Sequence, residues 1–156
     1  MKKTIGLLFA GLASTAFSQS IAFMRTDFQF VSLERTEKVS ADIGRMQPDR
    51  KYTQTPERAS APRGKKLVAV RFSLPYAPQS NPQSRDAWIL GTVRGVAEPE
   101  TFKCLSTTLW VPVNGTWSAA FVFEIPDNAS LLSFHLGRDQ MLDLRGMENA
   151  AAITRQ

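Results

Sequence analysis

The chain holds one cysteine and one histidine in 156 residues, and both scarcities set limits. Cys104 has no partner for an internal disulfide, so the fold has to be held by packing, and the thiol reads as a small buried hydrophobe on a strand. His135 alone excludes a histidine-built metal cluster, and any nucleophile–histidine arrangement depends on it. A pairing of Cys104 with His135 is not favoured by their spacing, and no G-x-S-x-G motif is present. No internal repeat appears, and no segment shows a convincing 3.6-residue apolar period. After the first twenty residues no long apolar run occurs, so a later membrane span is not expected.

What is present begins with Met1-Lys2-Lys3, followed by the uncharged stretch Thr4 to Phe17. Two lysines, an apolar core from Ile5 to Leu12 and small residues around Ser18 are the three parts of a secretory signal peptide, in order. Cleavage is expected after Ser18, with Ser20 and Ala22 as further candidate positions. The organisation that follows is a signal peptide over 1–18 with cleavage between 18 and 22, one domain over 23–146 and a flexible tail over 147–156. The short basic start resembles bacterial signals, which places the protein in the periplasm or outside the cell. Two Asn-x-Ser/Thr sequons, at Asn114 and Asn128, carry no weight in such a chain.

The formal charge is +5. Loss of Lys2 and Lys3 leaves 17 basic against 14 acidic residues, a surplus of three. From Arg25 to Arg71 there are 11 Lys and Arg against 6 Asp and Glu; from Phe72 onward there are 6 against 8. Export and the mixing of acids and prolines among the basic residues argue against nucleic acid as the partner. Anionic envelope polymers or lipid headgroups are the minor alternative to a solvated basic loop.

Apolar residues mostly recur with the period of strands. Phe28, Phe30, Val31 and Leu33 form a first. Lys65 to Leu74 alternates clearly, with Val68, Val70, Phe72 and Leu74 on one face. Further strands are expected over Ala87–Val93 and Phe102–Val111. After the Asn114-Gly115 turn, Ala119, Phe121, Phe123 and Ile125 mark another. Leu132, Phe134 and Leu136 then form a hairpin with Met141 to Leu144. Residues 41–64, polar and containing Pro48, Pro56 and Pro62, predict a long irregular loop. The fold class is all-β, an antiparallel β-sandwich of about seven strands.

The run Gly64-Lys65-Lys66-Leu67-Val68-Ala69-Val70, the later Trp117-Ser118-Ala119-Ala120-Phe121-Val122-Phe123-Glu124-Ile125-Pro126 and the terminal hairpin together resemble a known family. It is that of secreted bacterial immunoglobulin-like domains of unknown function related to the mycobacterial immunoprotective extracellular antigen. The resemblance spans roughly Phe28 to Gly146 and implies an immunoglobulin-like sandwich and an extracytoplasmic location. It carries no catalytic residues across. The chain departs from the family pattern in lacking a lipidation cysteine and in its Pro-rich segment.

Candidate binding residues are Trp117, Trp88, Tyr76 and His135, because flat rings on a sheet supply contact area at low entropic cost. Core packing is the competing role for each tryptophan, Trp110 included. By parity His135 lies beside Ser133 on the solvent side of its strand, where a histidine without a role is the simpler reading. Asp139 and Asp143, with Glu148 nearby, are weak calcium candidates, since the regular oxygen-ligand spacing is missing. Glu98 and Glu100 read as solvated loop charges. No cofactor is expected. These features point to an exported, non-enzymatic binding module for a protein or polysaccharide of the envelope, recognised through a loop end or a strand edge. The alternatives are an accessory assembly subunit and, with less support, a hydrolase.

Overall fold

The computed structural model describes residues 19–46, 52–113 and 116–149. The signal segment and the Asn114-Gly115 dipeptide lie outside them. Ten strands follow in order: β1 (Ser20–Phe23), β2 (Thr26–Thr36), β3 (Lys38–Met46), β4 (Tyr52–Ser60), β5 (Lys65–Leu74), β6 (Ala87–Val93), β7 (Glu100–Val113), β8 (Thr116–Pro126), β9 (Ala129–Leu136) and β10 (Gln140–Asp143). Single 3-10 turns occur at Ser84–Asp86 and Met147–Asn149, and no α-helix occurs among the described residues.

Eight strands form one antiparallel sheet in the order β1-β2-β5-β8-β7-β6-β9-β10, and among the described residues β3 pairs only with β4. The large sheet folds over itself, and β7 belongs to both halves. Its first residues pair with β6, from Glu100 opposite Gly91 to Lys103 opposite Trp88. From Cys104 onward it pairs with β8, after a register slip that leaves Leu105 bulged and exposed. Such a bulge lets a strand turn the corner between two layers. The result is all-β and sandwich-like.

The doubled-over geometry is recorded in the core. Phe72 on β5 and Phe134 on β9 stand four places apart in strand order, yet their ring centroids are 5.3 Å apart. Phe121 and Phe123 of β8 reach the same ring at 5.2 and 6.0 Å. Phe28 adds an edge-to-face contact with Phe72 at 6.0 Å. The alternation Val68, Val70, Phe72, Leu74 and Ala119, Phe121, Phe123, Ile125 supplies the inner faces of β5 and β8. A smaller cluster on the reverse side of these strands joins Leu67, Ala69 and Val122 to Val39 of β3. Both faces of β5 are therefore covered, as its near-continuous buried pattern requires.

Three sequence expectations are corrected. The segment 41–64 is not an irregular loop: most of it lies in the β3–β4 hairpin, paired from Lys38–Ser60 to Met46–Tyr52. The ribbon is mostly polar over residues 41–60, so the alternation that betrays other strands is absent, while Val39 at its root packs on Leu67, Ala69 and Val122. Pro56 sits within it opposite Asp42, as a ribbon with free edges allows. The strand count rises from about seven to ten, because β1 was also unread. Leu131, not Leu132, enters the core, since β9 slips register between its partners Leu90 and Gly91. Beyond Gly146, Met147 packs on the core and Glu148 pairs with Arg35 at 2.6 Å, and residues 150–156 lie outside the described residues.

The two end strands of the large sheet approach one another. The Ala22 amide donates to Gln140 Oε1 at 3.4 Å, and the Phe23 ring lies against Gly137 in the β9–β10 turn. Curling thus brings the otherwise open edges of β1 and β10 into mutual cover.

Candidate functional site

The strongest constellation outside the core is on the outer face of β6 and β9. Ala87, Ile89, Phe134 and Leu136 take the inner positions, so strand alternation turns Trp88, Leu90, Ser133 and His135 outward. Register then assembles two rows across four strands. Lys103 of β7, Trp88 of β6, His135 of β9 and Met141 of β10 form one. Thr101, Leu90, Ser133 and Asp143 form the other.

At the centre, the Trp88 and His135 rings stack with centroids 5.1 Å apart and planes 7° from parallel. Ser133 Oγ and His135 Nε2 share a hydrogen bond at 2.8 Å. Ser133 is buried while His135 and Trp88 are half-buried, so the serine fixes the imidazole from beneath and the indole fixes it from the side. Desolvation pulls the His135 pKa below its ordinary value of 6.5, which favours the neutral ring. Met141, directly opposite His135, is 63% exposed and extends the surface with a flexible thioether.

This Ser–His contact lacks the rest of a nucleophilic triad. The serine is buried, and among the described residues no carboxylate hydrogen-bonds His135. Asp143 is the nearest acid by register, and its carboxylate is held by Arg145, with Nε at 2.9 and 3.1 Å and Nη2 at 2.5 Å. The guanidinium pulls the Asp143 carboxyl down to about 2.

Of the four binding candidates, the structure brings Trp88 and His135 together and places the other two elsewhere. Trp117 lies half-buried at the start of β8, opposite Leu74, and packs against the main core on the inner side of the sheet. Tyr76 follows β5, is exposed, and donates its hydroxyl to the Arg25 carbonyl at 3.1 Å. The side chain of Trp110 is not among those described. Glu98 and Glu100 are exposed in and beside the β6–β7 loop.

Cys104 and His135 are on opposite sides of their layer. The thiol points into the core, donates to the Ser106 carbonyl at 3.1 Å, and is pushed up to about 12 by burial. A thiolate nucleophile is disfavoured there. Among the described residues no group of three or more metal-ligating side chains comes together. Asp143 is engaged by Arg145, Glu148 by Arg35, and Asp139 stands exposed in the β9–β10 turn.

Ser133, Leu90 and Met141 were not singled out from sequence as site residues. Their signal was the hairpin register around Gly137–Gln140, which sets Met141 opposite His135, but pairing across β6 joins positions more than forty residues apart. Compared with protein-family models, with curated proteins and with solved structures, the chain matches none.

Proposed function

We propose that the protein is an exported, non-enzymatic binding module whose recognition surface is the outer face of β6, β9 and β10, with an envelope or extracellular component as partner. The observation that carries this reading is the Trp88–His135 stack, locked by Ser133 and flanked by exposed Met141. A pre-fixed aromatic surface loses little side-chain entropy when a partner covers it. The signal-like start and the resemblance of the second half to secreted immunoglobulin-like domains support the compartment. No helix among the described residues is long and apolar enough to cross a membrane.

A second reading, an accessory subunit of an envelope assembly, is favoured by the β3–β4 ribbon, which pairs with no other strand. Unpaired ribbon edges can accept a strand from a partner chain.

Titration of the purified protein onto isolated cell envelopes tests the first reading. Trp88→Ala and His135→Ala should each weaken binding about tenfold or more while circular dichroism stays native, the loss expected when a central aromatic anchor is truncated. Binding equal to wild type in both folded variants would remove this face from the function. Retained binding that is lost on trimming the ribbon, residues 41–57, would favour the assembly reading.

A further inference from the structure

A separate feature lies at the root of the β3–β4 ribbon. Residues 38–66 contain eight Lys and Arg against three Asp and Glu, while the remainder from residue 19 contains nine against eleven. Along the sequence, the positive charge of the protein is therefore gathered between residues 38 and 66. There the structure has a cleft of about 370 Å³ lined by Lys38, Arg63, Lys65 and Lys66, with Glu37 and Asp127 as its acids.

The cleft is framed by the main chain. Ala61 N–H donates to the Glu37 carbonyl at 2.8 Å, Lys65 N–H to the Pro62 carbonyl at 3.1 Å and Asp127 N–H to the Gly64 carbonyl at 3.1 Å. Gly64 takes a φ of 77°, which turns the chain sharply so that Arg63, Lys65 and Lys66 line one small space. Two of the cations are already engaged: Lys66 pairs with Glu37 at 2.6 Å and Lys65 with Glu124 at 2.5 Å. Lys38 and Arg63 have no ion-pair partner among the described residues. Arg63 offers a planar fork of donors and Lys38 a point charge, a combination suited to a tetrahedral oxyanion.

We propose that this cleft binds phosphate groups of a polyanion, with Arg63 and Lys38 as the primary contacts and Lys66 as a cation held in reserve by Glu37. The site is independent of the Trp88–His135 face. Phosphates of a soluble or wall-bound polymer and phosphates of lipid headgroups share this chemistry, and the two sources are separable by probe. Because the cations are exposed, attraction is screened beyond about 8 Å at physiological ionic strength, so binding falls as salt is raised.

The test uses the purified protein with inorganic polyphosphate by calorimetry, and with phosphatidylglycerol–phosphatidylcholine vesicles by sedimentation against vesicles of phosphatidylcholine alone. The expected result is saturable, salt-sensitive binding to at least one probe. The Lys38→Gln/Arg63→Gln double variant should lose about tenfold or more, from roughly fivefold per basic residue at an anionic surface. Glu37→Gln frees Lys66 and should strengthen binding. Arg94→Gln, which removes one positive charge from the exposed β6–β7 turn, and Trp88→Ala should both bind as wild type. Binding to polyphosphate alone assigns the polymer source, and binding to anionic vesicles alone assigns the headgroup. Absence of salt-sensitive binding to both probes, or equal loss in Arg94→Gln and the double variant, would overturn the proposal.

Discussion

His135 is kept neutral by desolvation while its ring is clamped between Trp88 and Ser133, and this coupling has a pH signature. With a native pKa below the unfolded value of 6.5, the unfolded chain takes up the proton first. The contribution is therefore complete above about 6.5 and is lost as pH falls through the window beneath it. Urea midpoints at pH 7.5 and 5.5 should differ more for wild type than for His135→Gln, which cannot titrate; an unchanged difference would sink the assignment. Asp143 acts in a separate window. Its Arg145 clamp contributes above the ordinary 3.8 and is lost as pH falls toward about 2, well below the histidine step. Parity along the strand was enough to put His135 beside Ser133 on the outward side. It was not enough to reveal the Trp88 stack, because that contact depends on the pairing of β6 with β9.

At the scale of elements, the β1–β2 hairpin turns on Met24 and Arg25, whose φ values are 47° and 63°. Both residues occupy the left-handed region that two-residue hairpin turns reserve for Asn-Gly. Replacement by Met24→Asn/Arg25→Gly should raise stability by roughly 1 kcal/mol, since a non-glycine residue there costs about 1–2 kcal/mol. Thermal melts of the double variant check this, and the Tyr76 bond to the Arg25 carbonyl survives because it uses the main chain. The same choice of residues explains why β1 was illegible: Met-Arg carries no turn signal, and four residues are too few to show alternation. By contrast, β5 and β6 were readable to their ends because burial imposes their pattern and Pro75 closes the first. The β3–β4 ribbon was hidden by its prolines and by the polar composition of residues 41–60. A glycine supports the site from behind. A Cβ at Gly91 would lie 2.8 Å from both the Phe102 ring and the Ser130 carbonyl, at the β6–β9 bulge. Gly91→Ala should cost roughly 1–3 kcal/mol as an overpacked position, and denaturant unfolding measures it.

For the whole molecule, the packing of β1 bears on where the proposed leader is cut. Gln19 is already part of the ladder, its carbonyl accepting the Phe30 amide at 2.8 Å. Ile21 is 1% exposed and Phe23 sits in the main core, so β1 contributes packing as well as cover for the β2 edge. Removal of the proposed leader after Ser18 keeps all of this, whereas a cut after Ala22 deletes Ile21 and the donor to Gln140. N-terminal sequencing of the protein cleaved at the proposed leader should therefore read Gln19 first, and a start at Phe23 would contradict the assignment. Chains made to begin at Gln19 and at Phe23 extend the test. The shorter one loses a buried Ile, a loss of about 1.5–3 kcal/mol by transfer alone. It also bares the unpaired main chain of β2 at the sheet margin, a template for edge-to-edge association. It should unfold at lower denaturant and aggregate on concentration, while the Gln19 form remains monodisperse in light scattering.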